Sequence, residues 1–387
     1  MSNIHFPPAP STRSYDALRQ ELREFLRDAL GPDYSAPQRA RSWNGFDADF
    51  SAKLGERGWL GMTLPKAYGG HERSPLERYV VVEELLAAGA PVAAHWIADR
   101  QSAPIILRYG SEQQKRDILP RIAAGQCFFC IGMSEPDSGS DLASTRTLAE
   151  PVEGGYEITG TKLWTTYGHK AHYMTLFCRS DKRAERHDGT SQFLIDLSTP
   201  GISIRPVYDI AGEHHLNEVH FDKVFVPRSA LLGEEGKGWQ QVMGELAFER
   251  SGPDRFLSSF ALLNELLRLI SQAPDTAATA ALGRLAAHLM VLRQMSLSVT
   301  GMLASGENPS LQATIVKDLG AVLEQEIPEI ARSLVPCEPV PCEPVPGGDD
   351  PFAATLARTL LAAPSFSLRG GTREILRGII ARGLGLR

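Results

Sequence analysis

Two short segments of this chain carry residue types that could do chemistry. Residues 131–141 read Ile-Gly-Met-Ser-Glu-Pro-Asp-Ser-Gly-Ser-Asp, a strand-like run ending in a loop of hydroxyl, glycine and acidic residues. Such a loop offers backbone N–H groups and the hydroxyls of Ser134 and Ser140 to a polar ligand. The bland alternative is a turn joining two strands. Further on, Lys162-Leu163-Trp164-Thr165-Thr166 sets a large aromatic beside two hydroxyls at a strand end. The indole of Trp164 could stack on a planar ring while a threonine bonds its edge, although a lone tryptophan is more often core. A third candidate is Glu249. With Val242 and Leu246 it falls at i, i+4 and i+7 of a helical run, which puts a carboxylate on the face that should be apolar. A buried carboxylate tends to a raised pKa, which suits a general base near neutral pH. Otherwise it pairs with Arg250 or Arg255 at a helix end.

The elements that must position these residues come in three textures. Over residues 14–124 apolar residues recur at helical spacing: Leu18, Leu22, Phe25, Leu26 and Leu30 form one face. Ser74-Pro75-Leu76-Glu77 and Ser111 to Gln114 mark helix starts by capping-box logic. From residue 127 to about 232 the texture turns to short β-rich runs at 156–159, 173–178, 192–197, 202–207, 217–221 and 224–226. Strands without helices between them predict an antiparallel β-barrel or sandwich, not βαβ units. After Trp239 long helical runs return at 242–249, 256–270, 277–303 and 311–334, enough for a four-helix bundle. Shorter helices at 351–361 and from Thr372 close the chain. A tandem Pro-Cys-Glu-Pro-Val repeat at 336–345 is too proline-dense for a helix. The predicted class is α+β, mostly α, with an N-terminal helical bundle (1–125), a middle β-domain (126–235) and a C-terminal helical bundle (236–387).

Composition excludes several functions. The 387 residues carry 40 Lys+Arg against 46 Asp+Glu, a net charge of −6, and 43% are hydrophobic. That describes a globular protein without the basic field that nucleic acid needs. No run reaches the ~18 to 20 apolar residues of a membrane span, so no membrane partner and a cytoplasmic location are expected. Cys127 and Cys130 form a CxxC motif, but within a strand-like run with no helix start behind it, so a buried structural pair is expected. The histidines at 169, 172, 214, 215 and 220 lack HExxH spacing or an added Cys or Asp set, and no metal site is predicted. No GxSxG motif precedes a helix, and no dinucleotide or P-loop fingerprint occurs.

Taken together, SEPDSGSD at 134–141, KLWTT at 162–166, NEVHFDKVFVP at 217–227, LLGEEGKGW at 231–239 and GGTREILRGIIARGL at 370–384 resemble the acyl-CoA dehydrogenase flavoprotein family. The resemblance covers nearly the whole chain. It implies bound FAD and α,β-dehydrogenation of an acyl thioester, with hydride transfer to flavin N5. It further implies that Ile131, Met133, Ser134, Trp164 and Thr166 surround the flavin ring, and that Thr372 and Glu374 touch other parts of FAD. Ser140 and Arg250 are expected on the acyl-CoA. The Gly370 N–H would polarise the thioester carbonyl. An acyl-carrier-protein thioester is an alternative substrate, and an electron-transfer flavoprotein the expected acceptor.

Two positions depart from the family pattern. Many members carry a Glu where this chain has Gly370, which leaves Glu249 as the α-proton base, a location some members use. The Arg-x-x-Phe-Gly motif that reaches FAD across a subunit boundary is absent, since residues 271–283 read SQAPDTAATAALG. Arg284 or Arg293 in a homo-oligomer, or a paralogous subunit in a heterotetramer, would have to supply that contact. Two readings follow. One is a working FAD-dependent dehydrogenase. The other is a catalytically silent or partner subunit of a heteromeric enzyme. A flavin enzyme running a related thioester reaction such as enoyl reduction is a further variant.

Overall fold

The computed structural model describes residues 4–335, 337 and 350–386, with the backbone alone for residues 245–249. The Pro-Cys-Glu-Pro-Val repeat, Cys337 apart, falls outside the described residues, and so does the Glu249 side chain. In chain order come α1 (Asp16–Leu30), α2 (Ala36–Arg39), α3 (Ala48–Glu56), α4 (Pro75–Ala87), α5 (Ala93–Ile97), α6 (Ala103–Tyr109) and α7 (Glu112–Ala123). Eight strands follow: β1 (Phe129–Gly132), β2 (Leu148–Val152), β3 (Gly155–Thr166), β4 (Tyr173–Arg179), β5 (Thr190–Asp196), β6 (Ile202–Tyr208), β7 (His214–Pro227) and β8 (Leu231–Leu232). The chain closes with α8 (Gly238–Glu249), α9 (Phe260–Gln272), α10 (Thr276–Ala304), α11 (Ser310–Leu334), α12 (Pro351–Phe366) and α13 (Arg373–Gly383). This is the α+β, mostly helical composition the sequence predicts. No described helix is long and apolar enough to cross a membrane.

Contacts gather the chain into two compact units. One holds residues 1–46, 74–92 and 246–387; the other holds 47–73 and 93–245. In the first, α1 buries Leu22 and Leu26, the middle of its predicted apolar face. Two carboxylates of α4, Glu83 and Glu84, are buried yet paired. Arg19 reaches both, and Arg23 bonds Glu84 at 2.7 Å. Helix α4 begins where its capping box says it should, with Ser74 accepting from the Glu77 N–H and Glu77 accepting from the Ser74 N–H.

The second unit is built on one eight-stranded sheet of order β6-β7-β3-β2-β4-β5-β8, with β1 added against β4. It encloses an apolar cluster that includes Ile158, Leu176, Phe193 and Phe221. A second cluster joins α6 and α7 to the sheet through Ile106, Leu119, Phe129 and Leu232. The antiparallel expectation holds for most pairs, but β1 lies parallel to β4 and β2 touches β4 in parallel. The segments between those strands are long enough to cross over and return in the same direction, which a short hairpin is not. The runs at 217–221 and 224–226 belong to one strand, β7. Asp222 and Lys223 bulge out of it, opposite Thr159, with Lys223 at φ +49°.

One backbone approach in the first unit leaves no room for a side chain. A Cβ at Gly320 in α11 would stand 2.1 Å from the Arg255 carbonyl oxygen. We expect Gly320→Ala to lose about 1 to 3 kcal/mol of stability in urea unfolding, the cost of forcing two packed backbones apart.

Candidate functional site

Within the sheet unit, the two segments singled out by sequence meet. The Leu163 N–H donates to the Ser134 carbonyl at 2.9 Å, and Lys162 Nζ donates to the Met133 carbonyl at 2.9 Å. The junction is held by a buried ion pair. Lys162 is fully enclosed and its ammonium lies 2.8 Å from Glu135 Oε1. Glu135 also accepts from the Thr145 hydroxyl and from the N–H groups of Arg146 and Thr147. Burial alone would raise this carboxyl, but the charge and hydrogen bond of Lys162, with the bonds from Thr145 and Thr147, pull it down to about 2.

Trp164 stands at the end of this construction. The β3–β7 register slips between Lys162 and Thr165, so Leu163 and Trp164 form a bulge opposite Glu218. Trp164 sits there at φ +64° with 56% of its surface exposed. A bulky residue in a left-handed conformation is costly, and such strain concentrates where a side chain must be aimed. Ile131, Met133, Ser134 and Thr166 are half-buried, and Ser140 is exposed. An exposed aromatic face, with the half-buried hydroxyl residues Ser134 and Thr166 in the same two joined segments, fits a planar ring system.

In the helical unit, Arg250 is 3% exposed and faces away from solvent. Its Nε donates to the Gly370 carbonyl at 3.2 Å and it reaches the Thr314 hydroxyl. Gly370 and Gly371 take φ +70° and +100°, conformations that L side chains rarely adopt. Thr372 caps α13 by accepting from the Ile375 N–H. Glu374 is exposed in the first turn, and its carboxyl is held below the usual range by a bond at its own backbone and by the Thr372 hydroxyl. Arg284 is exposed, whereas Arg293 is committed to Glu83 by two hydrogen bonds of 2.6 and 2.9 Å.

Sequence reading missed the charged residues beneath both segments. Lys162 was visible in the motif, and its period-two alternation with Ile158 and Gly160 points it inward, as a strand requires. Lys317 and Glu324 of α11 share a helical face with Ala313, Gly320 and Ala321, so their burial was legible in the same way. Burial, then the charges of Arg255 and Arg369, push Lys317 down to about 7 against the opposing pull of Glu324 and Asp254.

The cysteine and histidine expectations resolve locally. Cys127 and Cys130 are buried in two different apolar clusters, and both are free thiols, as is Cys178. Burial raises the Cys127 thiol to about 11. His169 and His214 stack at 4.0 Å and both contact the Asn217 side-chain oxygen. Burial, then His214, lowers His169. The acidic neighbours that sequence did not supply for His215 are present in space, since Asp209 and Glu213 lie beside it.

Comparison with known proteins agrees with this layout. Residues 12–126 match the family model described as the acyl-CoA dehydrogenase N-terminal domain, and residues 130–224 match the middle-domain model. The acyl-CoA dehydrogenase IpdE1 of Mycobacterium tuberculosis is 31% identical over 396 residues, covering 96% of this chain and 97% of its own. FadE29 of the same organism is 34% identical over a shorter stretch, so the chain spans only 60% of that relative. The solved ChsE4–ChsE5 complex from Mycobacterium tuberculosis superposes with a TM-score of 0.83 at 30% identity, covering 98% of this chain and 99% of that one.

Two stability measurements follow from the buried charges. Glu135→Gln leaves Lys162 enclosed without its anion and should cost about 3 to 5 kcal/mol in chemical unfolding. The depressed carboxyl stabilises the fold fully above its ordinary value of 4.5, and this is lost as pH falls toward about 2, a loss the variant should not show. Lys317 works with the opposite sign. Between pH 7 and 10.5 the unfolded chain holds this proton and the folded chain does not, so stability rises with pH across that window. Lys317→Met should flatten the rise in urea midpoints.

Proposed function

This chain belongs to the acyl-CoA dehydrogenase family, and on that premise we propose that it catalyses α,β-dehydrogenation of an acyl-CoA with FAD as cofactor. The observation that carries the reading is Trp164, an exposed indole on a strained bulge anchored by the Glu135–Lys162 pair. FAD, when bound, supplies a hydride acceptor at its N5 atom. Trp164 offers its face to the flavin ring, beside Ile131 and Met133, while Ser134 and Thr166 offer hydroxyls to its edge. Thr372 and Glu374, at the start of α13, serve other parts of the cofactor. Ser140, on the exposed end of its loop, serves the thioester's CoA.

Dehydrogenation breaks two C–H bonds and forms one C=C bond. The α-proton goes to the Glu249 carboxylate, and the β-hydrogen leaves with its electron pair. The α-proton becomes acidic enough only when the thioester carbonyl is polarised, and the Gly370 N–H is the donor for that. Arg250, bonded to the Gly370 carbonyl, fixes the next peptide, between Gly370 and Gly371. An electron-transfer flavoprotein would be the onward acceptor of the electron pair.

A second reading has the chain as partner subunit in a heteromeric dehydrogenase. Its similarity to one chain of the ChsE4–ChsE5 complex favours this, as does the commitment of Arg293 to Glu83, which leaves Arg284 alone of the two arginines for the role of the missing motif.

The visible spectrum of the purified chain tests both. A flavin band bleached by one of a panel of short, branched, long and ring-bearing acyl-CoAs supports the first reading; a colourless protein supports the second. Glu249→Gln should keep the flavin band and slow bleaching by about 100- to 10,000-fold. Bleaching at the unaltered rate would remove Glu249 from the chemistry.

A further inference from the structure

The turn that carries Gly370 is gripped by more positive charge than its carboxylates balance. Lys317 donates to the Phe366 carbonyl at 2.7 Å, at the last residue of α12. Arg250 bonds the Gly370 carbonyl from the other side. Between them stands Arg369. Its guanidinium lies 4.3 Å from the Trp43 ring centroid and 4.9 Å from that of Phe366, so aromatic faces hold it from two sides. It donates to Glu324 Oε2 at 3.1 Å and to the Ser258 hydroxyl. Glu324 is itself fixed, accepting from the Ser258 N–H at 2.9 Å while its carbonyl accepts from the Ser259 hydroxyl. Asp254 and Arg255, both enclosed and bonded to each other, complete the cluster.

We propose that Arg369 is the positioning residue of the Gly370 peptide: its guanidinium, clamped by Trp43, Phe366 and Glu324, fixes the direction in which the next residue's N–H points. The backbone at Gly370 and Gly371 has no side chain to set it. Two glycines at positive φ are as free as a chain can be, and without an anchor the turn would sample many directions. A planar guanidinium suits the task because it can lie between two rings and donate in its own plane, which an ammonium cannot do. The inference rests on the functional reading above, in which that N–H polarises the thioester.

The test uses the FAD-loaded chain and 2,4-hexadienoyl-CoA, whose ultraviolet absorption moves to the red when its thioester carbonyl is polarised. We expect Arg369→Ala to keep the flavin band and bind the dienoyl thioester within about threefold of the unaltered chain. The red shift should be lost, and acyl-CoA bleaching should slow by about 100-fold, the scale of removing one carbonyl donor. Arg369→Lys should not restore either signal, whereas added guanidinium ion below denaturing concentration should restore part of both in Arg369→Ala. Trp43→Leu, which removes one face of the clamp and leaves the ion pair, should show a partial version of the same loss. A full red shift and an unaltered bleaching rate in Arg369→Ala would overturn the proposal, as would a loss of thermal stability with the shift intact in the folded fraction. A chain that binds FAD and the dienoyl thioester with no red shift even before substitution also overturns it. A chain that binds no flavin sinks the functional reading instead.

Discussion

One ion pair kept out of water, Lys162 with Glu135, underlies the arrangement of the sheet unit. Two charges at that depth are expensive, and their mutual attraction alone seldom recovers the cost. Here the deficit is met by hydrogen bonds: Glu135 has four donors and Lys162 three acceptors. The return is geometric. A loop of serines, glycine and aspartates has little shape of its own. Tied to the floor of β3 at Met133 and Ser134, it acquires one, and the neighbouring bulge can then tolerate a tryptophan in a conformation that backbone sterics oppose. The strain at Trp164 is affordable because the residue two places before it cannot move.

The helical unit solves a related problem with an excess of cations. Arg250, Arg255, Lys317 and Arg369 are set against Asp254 and Glu324, and the imbalance is eased in two ways. Lys317 gives up its proton more readily than a lysine in water does, and Arg369 shares its charge with two aromatic faces. In both units most of these ionised groups are buried. Pre-set dipoles that do not have to reorganise are what stabilises developing charge in a dry site.

Much of this architecture was legible in the chain. The capping boxes at Ser74 and Ser111 start α4 and α7 where they predict, and the five-residue apolar stripe of α1 lies on its inward side. Period and capping are local, and local signals survive in sequence. What did not survive were relations between distant segments. Asp222-Lys223 reads as a break between two runs because Asp favours a turn, and only pairing with β3 shows that they bulge out of a continuous strand. The parallel contact of β1 with β4 depends on where two long connections come to rest. Trp164 was found by its type, but its left-handed backbone has no signature. Nothing local marks Arg369 as enclosed, because its ring partner Trp43 lies 326 positions away.

The interleaving of the two units bears on how the chain is made. The sheet unit has all its residues once position 245 has been synthesised, whereas the helical unit needs both the first 46 residues and everything from 246 to 387. At about 5 to 20 residues per second, a ribosome takes roughly 7 to 30 s to deliver that remainder. Throughout this interval α4 has emerged and can pack on α1, but α10, which also packs on α4, has not. A nascent chain with a helix face left waiting is a natural client for trigger-type chaperones. Codon usage that slows elongation beyond residue 246 would lengthen that exposure, while pausing before it would not.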